Sequence, residues 1–542
     1  MTGRERVLAA LKCQPTDCIP WVPFAGCHAA ALIGVSADRY LRSSELIVQA
    51  VGQVIECYQP DGVPVIFDLQ LEAEVLGCEL LWAPENPPSV ISHPLAEGRE
   101  LSALTIPEAG SGRIRIVLDA ARELRQNHSD VALYGLITGP FTLALHLLGT
   151  QIFMEMYDDP DRVSRIMRFS QDIAIRMAGF YIDAGCDVIA VVDPMTSQIG
   201  PQQFRQFVAP YITPVFDFIR SRAAASSFFV CGHAQQNITA MSACRPDNIS
   251  VDENIPLAFV RDECLPHGVS FGGNIPLTTV LLLGTPEDAQ RSAVDCMEIG
   301  GRSGFILAPG CDLPYATPPA NLKAVTEVVR DPYRYQIIQT LAATPADGEQ
   351  PDMRDYGQGN QVIVDIITLD SEACAPCQYM VEAVRKITPE FEGLVEWREH
   401  KIKQRESLQF MNGLMVKNVP TICIDGQITF VSRIPARDEL IRAIQQRINT
   451  KLRLRIQRHH ASVYILGDGG AACQQTEQNI HCAAAELGMQ ARTEIVTDEA
   501  KIHTYGITLA QTPAVVIARY QLKSQHEIPS VPIIKEWLKD LI

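Results

Sequence analysis

The sequence predicts an α/β protein in which a (β/α)8 TIM-type barrel precedes two smaller α/β domains. Its 542 residues exceed what one hydrophobic core supports, so several domains are expected. Through about the first 330 residues, apolar strand-like runs alternate with helical patterns. After a stretch rich in Pro, Gly, Asp and Gln, two shorter blocks share one order of elements, which favours a diverged tandem repeat.

The first block, assigned to residues 1–340, contains near-continuous apolar runs that are typical of parallel strands buried on both faces. They lie at 61–68, 131–137, 187–193, 226–231, 248–252, 269–274 and 304–310. Helical patterns such as the one at 160–185 separate them. Seven or eight such strand–helix units suit a closed barrel better than an open sheet.

Several of these strands end in polar or reactive residues. They are Asp68, Asp193, Cys231, Asp252 and Asn274. Active sites of such barrels are built at the carboxyl ends of the strands. The sequence therefore predicts a functional site at this end of the barrel.

Composition and charge exclude some classes of function. A net charge of −17 argues against a nucleic-acid or anionic-membrane binder, because those partners need a basic surface. No apolar run reaches the length of about 18 to 20 residues that spans a bilayer, and the first residues have the pattern of an amphipathic helix. Sixteen scattered cysteines predict a cytoplasmic protein with mostly reduced thiols.

The second block, assigned to 361–448 after a linker at 341–360, carries the motif CAPC between a strand and a helix. A thiolate at a helix N-terminus is stabilised by the free backbone N–H groups, so Cys374 is a candidate nucleophile. Cys377 could then resolve a mixed disulfide. A structural zinc half-site is the alternative, but no second CxxC motif is present to complete it.

This block resembles the thioredoxin/glutaredoxin superfamily. Val419 and Pro420 match the position of that family's cis-proline. The resemblance implies that Cys374, Cys377 and Pro420 form a redox site with a thiol–disulfide exchange partner.

The third block, assigned to 461–542 after a linker at 449–460, resembles the same fold. Thr512 and Pro513 stand at the proline position, and the equivalent of CAPC reads CQQT. Thr476 thus replaces the second cysteine, and Cys482 lies too far from Cys473 along a helix to resolve a disulfide. We expect a degenerate, non-catalytic domain.

In the first block, Cys231 ends a strand, His233 follows it, and Cys311 follows a later strand. Thiolate and imidazole groups that converge from separate loops are the ligands of catalytic zinc, which can bind a thiol and lower its pKa. The alternative is that these cysteines only pack in the interior, as most buried cysteines do.

Residues 1–335 resemble the uroporphyrinogen decarboxylase superfamily, and most closely its methylcobalamin:thiol methyltransferase branch. The matching stretches include MTGRERVLAALKCQPTDCIPWVPFAGCHAA, GPFTLALHLLG, DPMTSQIGPQQF, ISVDENI, GGNIP and APGCDLPYATPPANL. Decarboxylases carry an Arg-Gln-Ala-Gly-Arg segment near the N-terminus, whereas residues 24–30 read FAGCHAA. The missing arginines argue against a substrate with several carboxylates.

The methyltransferase branch binds zinc through a His-x-Cys-Gly motif and a later cysteine. Cys231 and Cys311 match the two cysteines, but Phe229 stands in place of the histidine. We therefore predict His233 as the third zinc ligand, with His28 as the alternative.

Four carboxylates complete the candidates for the barrel site. Asp193 and Asp252 are predicted to orient substrate or to hydrogen-bond a ligand histidine, although Asp193 could equally form a turn before Pro194. Glu72 and Glu74 are weaker candidates for an oxygen ligand, because exposed helix carboxylates are common.

Three functions remain open. The favoured one is a corrinoid-dependent methyltransferase that moves a methyl group from a methylcobalamin-type donor to a small, zinc-activated thiol, coupled to the redox domain. No Asp-x-His-x-x-Gly corrinoid motif occurs, so a separate corrinoid protein would be the partner. The alternatives are a carboxy-lyase like the decarboxylases, and a redox carrier whose barrel only binds a ligand.

Overall fold

A computed structural model describes most of the chain. The described residues are 1–340, 356, 361–372, 374–391, 393–404, 406–407, 410–411, 414, 416, 418–458, 460–505, 507–517, 521–524 and 526–539. The predicted linker at 341–360 lies outside them except for Tyr356. Contacts divide the chain into two compact units, one with Met1–Tyr356 and Ile363–Leu440 and the other mainly with Ile441–Ile542.

Seven parallel strands form the sheet of the first block, and they are neighbours in chain order. Apart from one partly exposed end, their side chains are buried, which explains why the strands are apolar rather than alternating. The strands are β1 Gly62–Pro64, β2 Ala132–Thr138, β3 Val188–Val192, β4 Ala225–Val230, β5 Asn248–Val251, β6 Ser270–Ile275 and β7 Phe305–Pro309.

A short segment takes the place of an eighth strand and closes the barrel between β7 and β1. Leu307 donates its amide to the carbonyl of Pro20 at 2.9 Å and accepts from the amide of Val22 at 2.9 Å. On the other side, the Asp61 amide donates to the Trp21 carbonyl at 2.8 Å. The Trp21 amide bonds to the Asp61 carboxylate instead of a backbone carbonyl, which keeps this segment from forming a regular strand.

Helices pack outside the sheet and occupy its loops. The helix Gly3–Leu11 begins with a capping box of Thr2 and Glu5, and Asp159 caps the helix Pro160–Asp183. The other α-helices are Cys27–Leu32, Ala37–Tyr40, Ser44–Tyr58, Leu71–Val75, Gly112–Asn127, Pro140–Leu148, Ile152–Asp158, Pro201–Gln203, Ala209–Ser221, Ile238–Ala243, Leu257–Cys264, Pro286–Gly300, Pro319–Arg330 and Pro332–Thr340.

Shorter elements complete this block. A two-stranded ribbon pairs Leu80–Leu81 with Ser89–Val90. The 3-10 and π-helical turns are Leu101–Ala103, Gly149–Gln151, Pro194–Gln198, Phe204–Val208, Gln235–Asn237, Leu265–His267 and Leu277–Leu282.

The second block is a four-stranded sheet with the strand order β9-β8-β10-β11. Its strands are β8 Val362–Thr368, β9 Val395–Lys401, β10 Thr421–Ile424 and β11 Gln427–Val431, and its helices are Ala375–Ile387, Thr388–Phe391 and Arg437–Arg458. Asp425 and Gly426 both have positive φ between β10 and β11. This backbone is the one that the predicted Asp-Gly hairpin turn requires.

The third block repeats this arrangement, with the strand order β13-β12-β14-β15. Its strands are β12 His460–Leu466, β13 Gln490–Val496, β14 Ala514–Ile517 and β15 Gln521–Ser524, and its helices are Ala471–Glu486, Glu499–His503, Leu509–Gln511 and Val531–Lys539. In each block the peptide at the proline position, Val419–Pro420 or Thr512–Pro513, is cis. The shared sheet order agrees with the predicted repeat.

The segment 449–460 differs from the predicted linker, because the helix Arg437–Arg458 continues through most of it and β12 begins at His460. Lys, Leu, Arg and Gln, which dominate this segment, are good helix formers. Across the part of the chain that the structure describes, no helix has the length and apolar character to cross a membrane.

Candidate active site

A cavity of about 380 Å³ lies at the carboxyl ends of the barrel strands, within the first compact unit. The barrel and the CAPC block both line it. From the barrel come Cys231, Asp252, Glu253, Cys311 and Asp312, and from the CAPC block come Cys374, Cys377, Lys403, Val419 and Pro420. Two cysteine pairs and several carboxylates therefore share one space.

Cys231 and Cys311 form the first pair. Cys231 follows β4 directly and Cys311 lies in the loop after β7, so both lie at the carboxyl ends of the barrel strands and meet across the mouth of the barrel. The Cys231 thiol donates to the sulfur of Cys311 across 3.0 Å. The pKa of Cys231 lies well above that of an ordinary thiol. The largest cause is this hydrogen bond, and the second is burial.

Cys374 and Cys377 form the second pair. Cys374 is the N-cap of the helix Ala375–Ile387, and the Cys377 thiol donates to the Cys374 sulfur at 2.8 Å. Cys377 is fully buried and Cys374 is partly exposed. Burial raises the pKa of Cys377 well above its ordinary value. Cys374 is thus the more accessible nucleophile, and Cys377 is placed to resolve a mixed disulfide.

Electrostatics connect the two pairs. Repulsion from a Cys374 thiolate makes a smaller contribution to the raised pKa of Cys231. Pro420 lines the cavity beside the CAPC motif, as the resemblance to thioredoxins implies.

His233 does not join this site, contrary to the prediction. His233 is exposed, and it is not among the described residues that line the cavity. The prediction assumed an extended backbone after Cys231, in which every second residue faces the same way. Gly232 instead has φ of +85°, and this left-handed turn ends the alternation.

The side chain of Phe229 occupies the barrel interior where the resemblance implies a histidine. Phe229 is 1% exposed, and its ring meets Phe24 edge-on at a centroid distance of 5.1 Å and Phe67 at 5.8 Å. Its burial is apolar, so nothing at this position can bind a metal.

The described residues do not fit the zinc site that the sequence predicts. Two sulfur ligands of one tetrahedral zinc lie about 3.8 Å apart, because Zn–S bonds are about 2.3 Å long. Cys231 and Cys311 are closer than this, at 3.0 Å. Among the residues that the structure describes, no group of three His, Cys, Asp or Glu side chains is placed to hold a metal ion.

His28, the alternative ligand, has both ring nitrogens occupied. Nε2 lies 2.7 Å from the Tyr58 hydroxyl and Nδ1 lies 3.2 Å from the Tyr315 carbonyl. Burial lowers the pKa of His28 to about 4, so the ring is neutral. His28 therefore holds the first barrel loop in place, while the neighbouring Cys27 lines the cavity.

Asp193 anchors a helix rather than facing the cavity. One carboxylate oxygen accepts from the amide and the hydroxyl of Thr142 at 2.8 and 2.6 Å, and the other accepts from the amide of Phe141 at 3.1 Å. These donors begin the helix Pro140–Leu148. Burial raises the pKa of Asp193 to about 6.

Two other strand ends also support the site without lining it. Asp68 forms an ion pair with Arg113 at 2.7 Å. The Asn274 side chain donates to the carbonyls of Asp252 and Ile255 at 3.1 and 2.8 Å. Of the five strand-end residues, only Cys231 and Asp252 line the cavity.

Asp252 is the predicted carboxylate that does reach the cavity. It accepts from the amide of Gly232 at 2.6 Å and from the side chain of Asn254 at 2.8 Å, and so fixes the turn after Cys231. Burial raises the pKa of Asp252 to about 6.

Two further carboxylates, Glu253 and Asp312, belong to the site although the sequence analysis did not predict them. Each directly follows a predicted site residue, and that adjacency is the signal that could have found them. Both line the cavity. Burial raises the pKa of each to about 8, with repulsion from Asp252 adding to the effect on Glu253.

The two glutamates considered as oxygen ligands have structural partners instead. Glu72 is buried, contrary to the expectation of an exposed helix carboxylate, and accepts from the amide and hydroxyl of Thr138 at 3.1 and 2.7 Å. Glu74 pairs with Arg113 at 2.6 Å.

The third block offers one buried thiol at the position of CAPC. Cys473 is 1% exposed, and burial raises its pKa. The Thr476 hydroxyl is buried and donates to the Ala472 carbonyl at 2.8 Å. Cys482 is exposed nine residues further along the same helix, about 13 Å away along its axis. A non-catalytic role for this domain stays a prediction.

Comparison with protein families gives two matches. The family described as "Uroporphyrinogen decarboxylase (URO-D)" matches residues 2–332, and the family described as "Thioredoxin domain" matches residues 461–539. The second match falls on the third block.

Curated relatives of the barrel include both methyltransferases and decarboxylases. "Methylcobamide:CoM methyltransferase MtbA" of Methanosarcina acetivorans is 26% identical over 343 residues, which are 62% of this chain and 99% of the relative. "Methylcobamide:CoM methyltransferase MtaA" of Methanosarcina barkeri is 28% identical over 340 residues, which are 61% and 98%. "Uroporphyrinogen decarboxylase" of Anaeromyxobacter dehalogenans is 26% identical over 345 residues, which are 60% and 98%.

Among solved structures, "methyltransferase from Methanosarcina mazei" is similar with a TM-score of 0.57 at 25% identity, covering 63% of this chain and all of that chain. The barrel fold that the sequence predicts is thereby confirmed. The family match extends over more than half of the residues, and the chain therefore belongs to the uroporphyrinogen decarboxylase family.

Proposed function

We propose that the barrel transfers a methyl group from a methylated corrinoid to a small thiol, and that the CAPC block performs thiol–disulfide exchange. The observation that carries this proposal is the cavity at the strand ends, which Asp252 lines together with the two cysteine pairs. Its support is the similarity of the barrel to methylcobamide:CoM methyltransferases over almost their whole length.

The methylated corrinoid, either free or carried by a separate corrinoid protein, supplies an electrophilic methyl group. The chain itself must bind the acceptor thiol, exclude water from it and remove its proton. Asp252 is suited to the last task, because its pKa of about 6 leaves it ionised at neutral pH while it still lines the cavity. No step is assigned to zinc, since the described residues do not fit the predicted metal site.

The lining of the cavity favours methyl transfer over decarboxylation of a substrate with several carboxylates. Among the described residues that line it, Lys403 alone carries a basic side chain, and this lysine is paired with Asp370 at 2.5 Å. A polycarboxylate substrate would meet Asp252, Glu253 and Asp312 without compensating arginines.

The test is an anaerobic assay of the reduced protein with methylcobalamin and 2-mercaptoethanol. We expect thiol-dependent demethylation of the corrinoid, followed by its absorbance, and the methyl thioether by mass spectrometry. The variant Asp252→Asn lacks the proposed base and should lower the rate at least about 100-fold, whereas the exposed Cys482→Ala control should not change it.

Three results would overturn the proposal. Wild-type protein that leaves methylcobalamin intact at every thiol concentration would exclude methyl transfer. Release of carbon dioxide from uroporphyrinogen would assign the barrel to the decarboxylases. Reduction of an external disulfide with neither activity would identify a redox carrier whose barrel only binds a ligand.

A further inference from the structure

The CAPC block is held against the mouth of the barrel by direct hydrogen bonds. Gln378, on the helix that begins at the motif, donates to the Val90 carbonyl at 2.6 Å. Ser89 donates to the Glu372 carbonyl at 2.8 Å, and Lys403 donates to the Asn86 side chain at 2.8 Å. These contacts come from both sides of the CAPC motif.

A second group of contacts fixes the far side of the redox site. The side chain of Gln198 donates to the Ser432 carbonyl at 3.0 Å and accepts from the Ile434 amide at 3.0 Å. On the helix Ala375–Ile387, Tyr379 is fully buried and packs in the hydrophobic core of the barrel. The CAPC block is therefore held on the barrel both by hydrogen bonds and by the burial of an apolar side chain.

In this arrangement the barrel covers the face of the CAPC block on which its two cysteines lie. Cys374, Cys377 and Pro420 all line the cavity that the barrel closes from the other side. The barrel thus covers the face at which a folded partner protein would dock, and a cavity of about 380 Å³ has the size of a small-molecule site. The reaction partners available to Cys374 are a small ligand and the barrel's own cysteines.

We propose that the two cysteine pairs form an internal relay that reduces a small disulfide in this cavity. The electrons pass from Cys374 and Cys377 to Cys231 and Cys311, and from there to the ligand. The inference uses the thiol–disulfide role proposed for the CAPC block, but it does not depend on methyl transfer.

The relay consists of balanced thiol–disulfide exchanges. The Cys231/Cys311 dithiol first reduces one small disulfide, which leaves as two thiols, and becomes a disulfide itself. The Cys374 thiolate then attacks the Cys231 sulfur, and Cys311 leaves as a thiolate. Finally Cys377 attacks the Cys374 sulfur and releases Cys231, so that the Cys374–Cys377 disulfide remains. A dithiol reductant from solution restores it.

Exposure favours Cys374 as the sulfur atom of the CAPC motif that attacks. Cys374 is the partly exposed member of its pair, whereas Cys377 is buried behind it. Both barrel sulfurs line the same cavity as Cys374, and we assign the attack to Cys231. The product of the relay is also informative, since each small disulfide yields the kind of small thiol that the methyl-transfer proposal needs as acceptor.

The first test uses full-length variants that leave one cysteine in each pair. In Cys311→Ser/Cys377→Ser, mild oxidation with 2-hydroxyethyl disulfide should link Cys231 to Cys374 within one chain, as detected by peptide mass spectrometry. The rate should not change on about tenfold dilution of the protein. The matched control Cys231→Ser/Cys311→Ser/Cys377→Ser lacks both cysteines of the barrel pair and should form no internal link to Cys374, including one from Cys27, which also lines the cavity.

The second test uses the unmodified protein, which avoids any loss of folding in the variants. After one equivalent of 2-hydroxyethyl disulfide, samples alkylated at successive times should show the Cys231–Cys311 disulfide decaying at the rate at which Cys374–Cys377 forms. A Cys231–Cys311 disulfide that persists beside reduced Cys374 and Cys377 would overturn the relay, as would links between chains only. Neither test needs a corrinoid, so failure of methyl transfer and failure of the relay are separate results.

Discussion

The sulfur atoms of Cys231 and Cys311 lie 3.0 Å apart, although 80 residues separate them in the chain. Closure of the barrel produces this contact, because β4 and β7 both end at the mouth of the cavity. The spacing is too short for two ligands of one zinc ion and well suited to a dithiol that can become a disulfide. This relationship is the basis of the first prediction.

Replacing Phe229 by histidine should create the zinc site that the native residues lack. Residues 229 and 231 are two apart, at the end of β4, where alternate side chains share a face. A third ligand would let the cysteines separate and bind the metal. We expect about one zinc per chain in the reduced Phe229→His protein by metal analysis, and clearly less in the wild type.

The matched control for this variant is Phe229→His/Cys231→Ala, which should lose the bound metal again. A Phe229→Leu variant keeps the site apolar and reports the cost of removing the ring from its contacts with Phe24 and Phe67. Wild-type protein that already holds one zinc, lost in Cys231→Ala, would contradict our description of the site.

Features that depend on a single strand or a single motif could be predicted from the sequence. The barrel strands, the CAPC helix and the cysteines at 231 and 311 follow from apolar periodicity and from position along the chain. The prediction for His233 failed because Gly232, with its positive φ, ends the alternation of side chains after β4, and periodicity does not report backbone φ.

Docking of the CAPC block on the barrel could not be predicted either. It depends on contacts such as Gln378 with Val90, between residues that are 288 positions apart and individually unremarkable in the sequence. The role of Asp193 is similar, because a carboxylate that ends a strand can face a substrate or a helix N-terminus, and only the fold decides which.

Removal of the Asp193 carboxylate should destabilise the barrel. In Asp193→Ala, the amides of Phe141 and Thr142 lose their acceptor while they remain buried. Each unsatisfied buried donor costs about 1–3 kcal/mol, so we expect a loss of about 3 kcal/mol in the free energy of unfolding. Urea denaturation followed by circular dichroism measures it.

Asp161→Ala is the control, because this exposed residue lies in the first turn of another helix and should change stability by less than about 0.5 kcal/mol. If Asp193→Ala were as stable as the wild type but inactive in methyl transfer, the carboxylate would act on substrate rather than on the helix.

Glu72 should make the stability of the protein depend on pH. Burial raises its pKa to about 7 in the folded state, above the ordinary value of 4.5. The folded protein therefore holds this proton more tightly than the unfolded chain. The resulting stabilisation is complete below about pH 4.5 and is lost as the pH rises through 7, by up to about 3 kcal/mol.

The variant Glu72→Gln cannot ionise, and its amide can still bond to Thr138. Comparing urea midpoints at pH 5 and pH 8, we expect a smaller decrease for Glu72→Gln than for the wild type. Equal decreases in the two proteins would show that Glu72 does not titrate in this range. Glu74→Gln, at a partly exposed carboxylate on the same helix, is the matched control.

The charge of the acceptor thiol should affect its rate in the barrel. Asp252 is ionised at neutral pH, and Glu253 and Asp312 become so as the pH rises through about 8. Lys403 already compensates Asp370, so the lining is acidic on balance. A neutral thiol such as 2-mercaptoethanol should therefore have a higher kcat/KM than an anionic sulfonate thiol. We expect a ratio of about tenfold at pH 7, which corresponds to about 1.4 kcal/mol, and a larger ratio at pH 9.

Asp312→Asn should reduce the preference, because the amide can keep the bond to Gly26 but carries no charge. A sulfonate thiol that is preferred at both pH values would mean that the acceptor binds away from these three carboxylates.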